Sequence, residues 1–150
     1  MKIRKAKPAD VKIIDSLNRK YFEEKGRNWL ELIMSDNSEI FVLEDSNKIT
    51  GWTGIIIHKW NNTARIIDIF IYPSKRKMGL GKKLILYIKQ YAQKKKVRSL
   101  IAEAPSLNPV LSLYLKCGFR ICGYNDRYYD NKGKEMAIFL SFDFSNKNNK

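Results

Sequence analysis

Apolar positions along the chain change their period several times, and each change marks an element. Lys2 to Ala6 alternates and predicts a first strand. Val11, Ile14, Leu17, Asn18 and Tyr21 or Phe22 then recur at helical spacing. Pro8 and Asp10 suit the start of that helix, and Gly26 breaks it. Trp29 to Met34 reads as a short second helix, with Trp29 in the core rather than on a cleft wall. Ile40 to Glu44 and Ile49 to His58 are β-branched runs joined by Ser46-Asn47-Lys48, a hairpin. Asn61-Asn62 turns the chain into a strand over Ala64 to Pro73, and Pro73, lacking an N–H, ends that ladder. Helical spacing returns at Leu84, Ile85, Ile88, Tyr91 and Ala92, and Lys94-Lys95-Lys96 closes the helix with cations, as its dipole favours. Arg98 to Ala104 is a strand. Asn108 caps the next helix, Pro109 takes its first position, and Gly118 ends it in the left-handed region. Phe119 to Tyr124 and Lys134 to Phe142 are the last strands, separated by a polar, tyrosine-bearing loop over Asn125 to Gly133. The polar stretch from Ser145 to Lys150 is expected to be disordered.

This order predicts a mixed α/β, α+β-like domain. Early strands form an antiparallel meander. The strand–helix–strand passage from Ala64 to Ala104 implies a right-handed crossover and one parallel pair. The chain has 150 residues, so one domain over 1–143 followed by a tail over 144–150 is expected. No internal repeat stands out.

The strand ending at Pro73 runs into Ser74-Lys75-Arg76-Lys77-Met78-Gly79-Leu80-Gly81-Lys82 and then into the long helix. Unpaired amides at such a helix start, with the positive end of its dipole, favour an anion, and phosphate above others. The turn is not G-x-x-x-x-G-K-[ST], and with only Gly79 and Gly81 it is not G-x-G-x-x-G.

What stands there is R-x-x-G-x-G, from Arg76 to Gly81, which resembles the coenzyme A pyrophosphate turn of the GNAT (GCN5-related) N-acetyltransferase superfamily. Asn108-Pro109-Val110-Leu111-Ser112-Leu113-Tyr114-Leu115-Lys116-Cys117-Gly118-Phe119 resembles that superfamily's second motif, N-x-x-A-x-x-L-Y-x-K-x-G-F. The two occur in the family's order and separation, and the likeness covers the chain from about Ile3 to about Leu140. It implies the GNAT fold: a mostly antiparallel sheet of six to seven strands, one parallel pair at the cofactor cleft, and about four helices. It implies acetyl-CoA as co-substrate, no metal, and attack by an amine in a ternary complex.

That transfer needs a proton acceptor for the amine, N–H donors for the carbonyl oxygen, and an acid for the departing thiolate. The resemblance offers each. The backbone of Ile69, Phe70 and Ile71 matches the strand that binds pantetheine and the acetyl carbonyl. Arg76, Lys77, Met78, Gly79, Leu80, Gly81 and Lys82 match the pyrophosphate cradle, and Asn108 a coenzyme A contact. Tyr114 matches the acid, although a tyrosine beside Leu113 and Leu115 also reads as core. Glu103, in the apolar strand Leu100-Ile101-Ala102-Glu103-Ala104, faces either solvent or a cleft, and partial burial would make it a better proton acceptor. A glutamate on this strand acts as base in the ribosomal-protein alanine N-acetyltransferase branch, so the resemblance implies Glu103 as base, with a water chain as the alternative. Asn125 to Ile138 resembles the R-x-Y-Y…D-G-x-x-A-x-x-M ending of protein N-terminal acetyltransferases, implying that Tyr128 and Tyr129 hold the acceptor's backbone; as ordinary loop anchors they would do no such thing.

Several departures concern the acceptor more than the donor, among them an Asn108-to-Tyr114 distance one residue shorter than in the alanine-acetylating branch. Lys75 replaces an aromatic, Pro109 is unusual, and Ser106-Leu107-Asn108 stands where S-N is common. A peptide-gripping motif is not evident around Lys25 to Trp29, in the region that forms the acceptor wall of this fold. The first expectation is nevertheless the N-terminal α-amine of a protein. A small amine or polyamine comes second, because a basic surface repels cations.

Composition modifies this picture in few places. Twenty-nine Lys plus Arg against 15 Asp plus Glu give a net charge of +14. Lys75, Arg76, Lys77, Lys82 and Lys83 lie where they would meet coenzyme A phosphates. The remaining cations read first as a solvated surface, with ribosome or RNA contact open, including a binding module on this fold without turnover. No apolar run approaches the ~20 residues that cross a bilayer, so no membrane is implied. Met1 to Lys5 leads into Ala-Lys-Pro-Ala-Asp, so no secretory leader is expected. Cys117 and Cys122 make no metal framework and read as reduced residues of a cytoplasmic monomer or homodimer. His58, the one histidine, ends a strand and reads as a surface residue rather than a base.

Overall fold

A computed structural model describes residues 1–22 and 26–145. Residues 146–150 of the expected disordered tail, and Lys25, lie outside the described residues. The strands are β1 (Lys2–Lys5), β2 (Ser38–Asp45), β3 (Lys48–His58), β4 (Thr63–Ile71), β5 (Ser99–Pro105), β6 (Arg120–Asn125) and β7 (Ala137–Asp143). The helices are α1 (Val11–Phe22), α2 (Trp29–Met34), α3 (Leu80–Lys94) and α4 (Val110–Lys116). All seven strands join one sheet in the order β1-β2-β3-β4-β5-β7-β6. Among the described residues only β4 and β5 pair in parallel. The mixed α/β architecture with one parallel pair is therefore present. The last strand starts at Ala137 rather than Lys134, because the Met136 amide donates to the Ser106 side chain (3.0 Å).

Local chemistry explains the turns that matter. Ser46 (φ 48°) and Asn47 (φ 63°) are both left-handed, the two-residue turn whose twist suits a hairpin. Between β3 and β4 the register moves from Thr53↔Ile69 to Ile55↔Ile66, so Ile67 and Asp68 together oppose Gly54. That is a β-bulge, and a bulge bends its strand. The Thr53 hydroxyl donates to the Asp68 carbonyl (2.7 Å) and pins it. Gly54 lets Ile40 pack against the bulge, since a Cβ there would stand 2.6 Å from Ile40 Cδ1. Pairing of β4 with β5 covers only Thr63–Arg65 against Ser99–Ile101. Past Arg65, just before the bulge, the two strands are no longer paired.

Both faces of the sheet are covered. On one, Ile85, Ile88 and Ala92 of α3 and Tyr114 of α4 pack over Ala64, Leu100 and Leu140. On the other, Ile14 and Leu17 of α1 and Trp29 of α2 cover Trp52 and Phe70. Trp52 stacks on Phe70 (4.2 Å between centroids), and Trp29 meets Trp52 edge-on, buried in the core as expected.

Arg4 of β1 ties α1 to the sheet by donating to Asp10 (2.8 Å) and Glu44 (2.8 Å). The Arg4 hydrogen bond holds the buried Asp10 carboxyl below the usual carboxylate range, against the opposing effect of burial. Because the folded value lies below the unfolded one, this stability is present above about pH 4 and is lost as pH falls through the folded value. Arg4→Ala should cost about 2 kcal/mol at pH 7. Urea midpoints of the two proteins should converge as the pH is lowered to about 2.

Candidate active site

The loop from Pro73 brings the chain to α3 through two left-handed residues, Lys77 (φ 60°) and Gly79 (φ 76°). Gly79 is the N-cap, and no side chain caps α3 among the described residues. Lys83 is the first amide to reach back, to the Gly79 carbonyl (3.0 Å), so the amides of Leu80, Gly81 and Lys82 form the open end of the helix dipole. Leu80 is buried and anchors that end, while Lys77, Met78, Lys82 and Lys83 are exposed around it. Gly81 lets α4 approach, since a Cβ there would lie 2.8 Å from Leu113. The donor set fits a diphosphate: fixed amides, a dipole and exposed ammonium groups. Two cations behave differently from the rest. Arg76 donates to the Ile71 carbonyl (2.9 Å) and fixes the loop to β4. Lys75, expected to face the phosphates, pairs with Asp45 (3.1 Å).

Along β4 the Tyr72 amide donates to Thr50 of β3 (2.8 Å). Ladder alternation turns Phe70 to the same side, so the amides of Ile69 and Ile71 face the edge that β5 has left. Tyr114 approaches that region from α4, only 3% exposed and edge-on to Phe119 (5.1 Å). Burial pushes its phenol well above the ordinary tyrosine value, and the charges of Asp68, Cys117 and Glu103 add to the rise. Asn108 and Pro109 each stand one place earlier than expected: Pro109 is the N-cap of α4, and Asn108 Oδ1 accepts from the amide of Val110, the first helical residue (2.9 Å).

A cleft of about 520 Å³ lies on the α1–α2 side of the parted strands. Arg27, Glu31, Ser38, Arg65, Asp68 and Glu103 are among its lining residues. Glu103 Oε1 accepts from Arg65 Nη2 (2.9 Å) and from the Tyr128 hydroxyl (3.2 Å). Tyr129 packs edge-on against Tyr128 (5.1 Å). Burial raises its phenol, with the charge of Glu103 contributing. The structure thus brings Tyr128 and Tyr129 to Glu103, which lines this cleft, and sets the Arg76–Lys82 turn against α4 where Gly81 meets Leu113. Past Arg65 and Ile101, β4 and β5 are unpaired, which leaves the amides of Ile69 and Ile71 open. Such an arrangement can hold a thioester along β4 and an amine at the cleft.

Sequence reasoning did not find Arg27, Glu31, Arg65 and Asp68. Arg27 pairs with Asp68 and ties the chain before α2 to the bulge. One signal was available: Asp68 is a charge inside Ile66-Ile67-Asp68-Ile69. His58 is half-buried at the end of β3 and is not among the cleft-lining residues. Cys117 sits at the end of α4 and Cys122 in β6, both as free thiols. No described helix is long and apolar enough to cross a membrane.

The model of the acetyltransferase (GNAT) family matches residues 11–119. Streptothricin acetyltransferase of Streptomyces lavendulae is 24% identical over 110 residues, and the match spans 71% of this chain but only 58% of that protein. The uncharacterized N-acetyltransferase YvbK of Bacillus subtilis (strain 168) is 32% identical over 122 residues, 71% of this chain and 79% of YvbK. Among solved structures, a Bacillus anthracis (strain Ames) protein assigned as a streptothricin acetyltransferase, in complex with acetyl coenzyme A, is 32% identical with a TM-score of 0.72, covering 83% of this chain and 72% of its own. The ribosomal-protein-S18-alanine N-acetyltransferase of Escherichia coli is 18% identical with a TM-score of 0.84, covering 98% and 97%, a likeness of fold.

Proposed function

The chain belongs to the acetyltransferase (GNAT) family, and from that membership we propose an acetyl-CoA-dependent N-acetyltransferase whose acceptor is a cationic amine of a small molecule. The observation that carries this is the cleft at the parted β4 and β5, lined by Glu103, beside the open amides of Ile69 and Ile71. Acetyl-CoA enters with its diphosphate on the amides of Leu80–Lys82 and its carbonyl on the Ile69 or Ile71 amide. The amine enters the cleft, loses a proton to Glu103, and its lone pair attacks the thioester carbon. The C–S bond breaks, the Tyr114 phenol hydrogen-bonds the departing sulfur, and the proton that the nitrogen sheds on becoming an amide passes to that thiolate. Arg65 and Tyr128 occupy one oxygen of Glu103, leaving the second for the ammonium.

We place a small cationic amine ahead of the protein α-amine that the resemblance puts first. Glu31, Asp68 and Glu103 line it against Arg27 and Arg65, so its own wall favours a cation. Cations elsewhere act through salt water, which screens them beyond about 8 Å. The relatives named for streptothricin point the same way. A second reading, the N-terminal α-amine of a protein met at the ribosome, is favoured by the Tyr128–Glu103 hydrogen bond, since that tyrosine pair is where a peptide backbone would lie.

A panel of spermidine, lysine, streptothricin and peptides with varied first residues tests the choice. Small cationic amines should turn over fastest. Glu31→Gln should raise KM about fivefold for acceptors with a second cationic group, and leave kcat unchanged, since an exposed ion pair is worth about 1 kcal/mol. Faster turnover of any peptide than of every small amine would reverse the assignment.

A further inference from the structure

The turn between β3 and β4 carries Lys59 and Trp60, and Trp60 is 86% exposed. The other two tryptophans, Trp29 and Trp52, are 2% and 0% exposed, so the core does not use the third. The turn is held in place. Asn62 Nδ2 donates to the Lys96 carbonyl (3.0 Å), the Arg98 amide to the Asn62 carbonyl (2.9 Å), and Arg98 Nε to the Asn61 carbonyl (2.8 Å). These bonds set Trp60 beside the C-terminal end of α3, where Lys94, Lys95, Lys96 and Arg98 are all exposed. Among the described residues none of these cations, nor Lys59, pairs with a carboxylate. None lines the acceptor cleft. The opposite end of α3, at the diphosphate mouth, is about 22 Å away at 1.5 Å per residue.

We propose that this end of the molecule binds single-stranded nucleic acid, with a base stacked on the Trp60 indole and phosphates on Lys59, Lys94, Lys95, Lys96 and Arg98. An indole face accepts any base, and ammonium and guanidinium groups with no carboxylate partner among the described residues meet the backbone on both sides. Charge complementarity selects this partner: the patch holds five unmatched cations on a chain of net charge +14. An anionic membrane surface would take the same cations but needs apolar side chains to insert. Trp60 stands between Lys59 and Asn61-Asn62, with no second apolar side chain in its turn.

Fluorescence anisotropy of a labelled oligouridylate of about 12 nucleotides tests this on the intact protein. The oligonucleotide should bind, and it should quench tryptophan emission, because Trp60 is the exposed indole. Trp60→Ala should weaken binding about tenfold. The combined Lys94→Ala, Lys95→Ala, Lys96→Ala variant should flatten the slope of log affinity against log salt by about 2. Both variants should acetylate spermidine at the wild-type rate, and saturating coenzyme A should not displace the oligonucleotide. Three results would overturn the proposal: no binding at low salt, affinity indifferent to Trp60→Ala, or displacement by coenzyme A, which would place the RNA at the diphosphate mouth. Vesicles of phosphatidylserine whose binding depends on Trp60, with oligonucleotide binding that does not, would also reject it in favour of a membrane.

Discussion

Replacing Glu103 with glutamine is expected to lower kcat about 10²- to 10³-fold while acetyl-CoA binds as before. Glutamine has the same size, and its carbonyl oxygen can still accept from Arg65 and Tyr128, the two donors that hold Glu103 at 2.9 and 3.2 Å. The cleft should therefore keep its shape. What disappears is the proton acceptor. An acceptor amine enters as ammonium, and without a base only its small neutral fraction can attack. The variant's rate should then rise about tenfold per pH unit toward the amine's own pKa, a slope the wild type should not share. Thiol release followed at several pH values, with calorimetry for acetyl-CoA, reads both effects. A kcat within about threefold of wild type would assign the proton to a water chain instead.

The contrast between Glu103 and its neighbours explains which parts of this protein can be read from residue order. The geometry of the turn into α3, where we propose the diphosphate, was legible because it is local: a strand-ending proline, a left-handed glycine and a helix start lie within Pro73–Leu80. The helical stripe of α3 was legible for the same reason, and the start of α4 to within one residue, since Pro109 rather than Asn108 is its N-cap. The cleft was not. Arg27 and Glu31 come from one stretch of chain and Arg65 and Asp68 from another, and they meet through the bulge at Ile67–Asp68. A bulge is a register change between strands, so no residue type announces it. Asp68 within an apolar run and Gly54 opposite it were its traces. Lys75 was assigned to phosphate by proximity in sequence, whereas Asp45 at the end of β2 takes it by proximity in space. Phe70 likewise sat in the right run, yet ladder alternation points its amide at β3 and reserves the open edge for Ile69 and Ile71.

Tyr114→Phe is expected to lower kcat about 10- to 100-fold with unchanged stability, because phenylalanine keeps the edge-on contact with Phe119 and only the hydroxyl is lost. The size of that effect follows from the environment of the phenol. Burial, with Asp68, Cys117 and Glu103 as like-signed neighbours, raises its pKa far enough that it stays protonated across the working pH range. A phenol so weakened as an acid gives up its proton reluctantly. It still donates a strong hydrogen bond, and it does so where no water competes. The physical role is therefore to stabilise negative charge growing on sulfur, a charge-assisted hydrogen bond worth about 1.5–3 kcal/mol. The wild-type rate should accordingly show no decline from Tyr114 ionisation up to about pH 10, since a raised value moves that loss upward. Replacing the thiolate leaving group by one of lower pKa, in acyl thioesters of varied thiols, should shrink the gap between wild type and Tyr114→Phe. A gap that stays constant across such thioesters, or a kcat equal to wild type, would leave Tyr114 as a core aromatic packed beside the site.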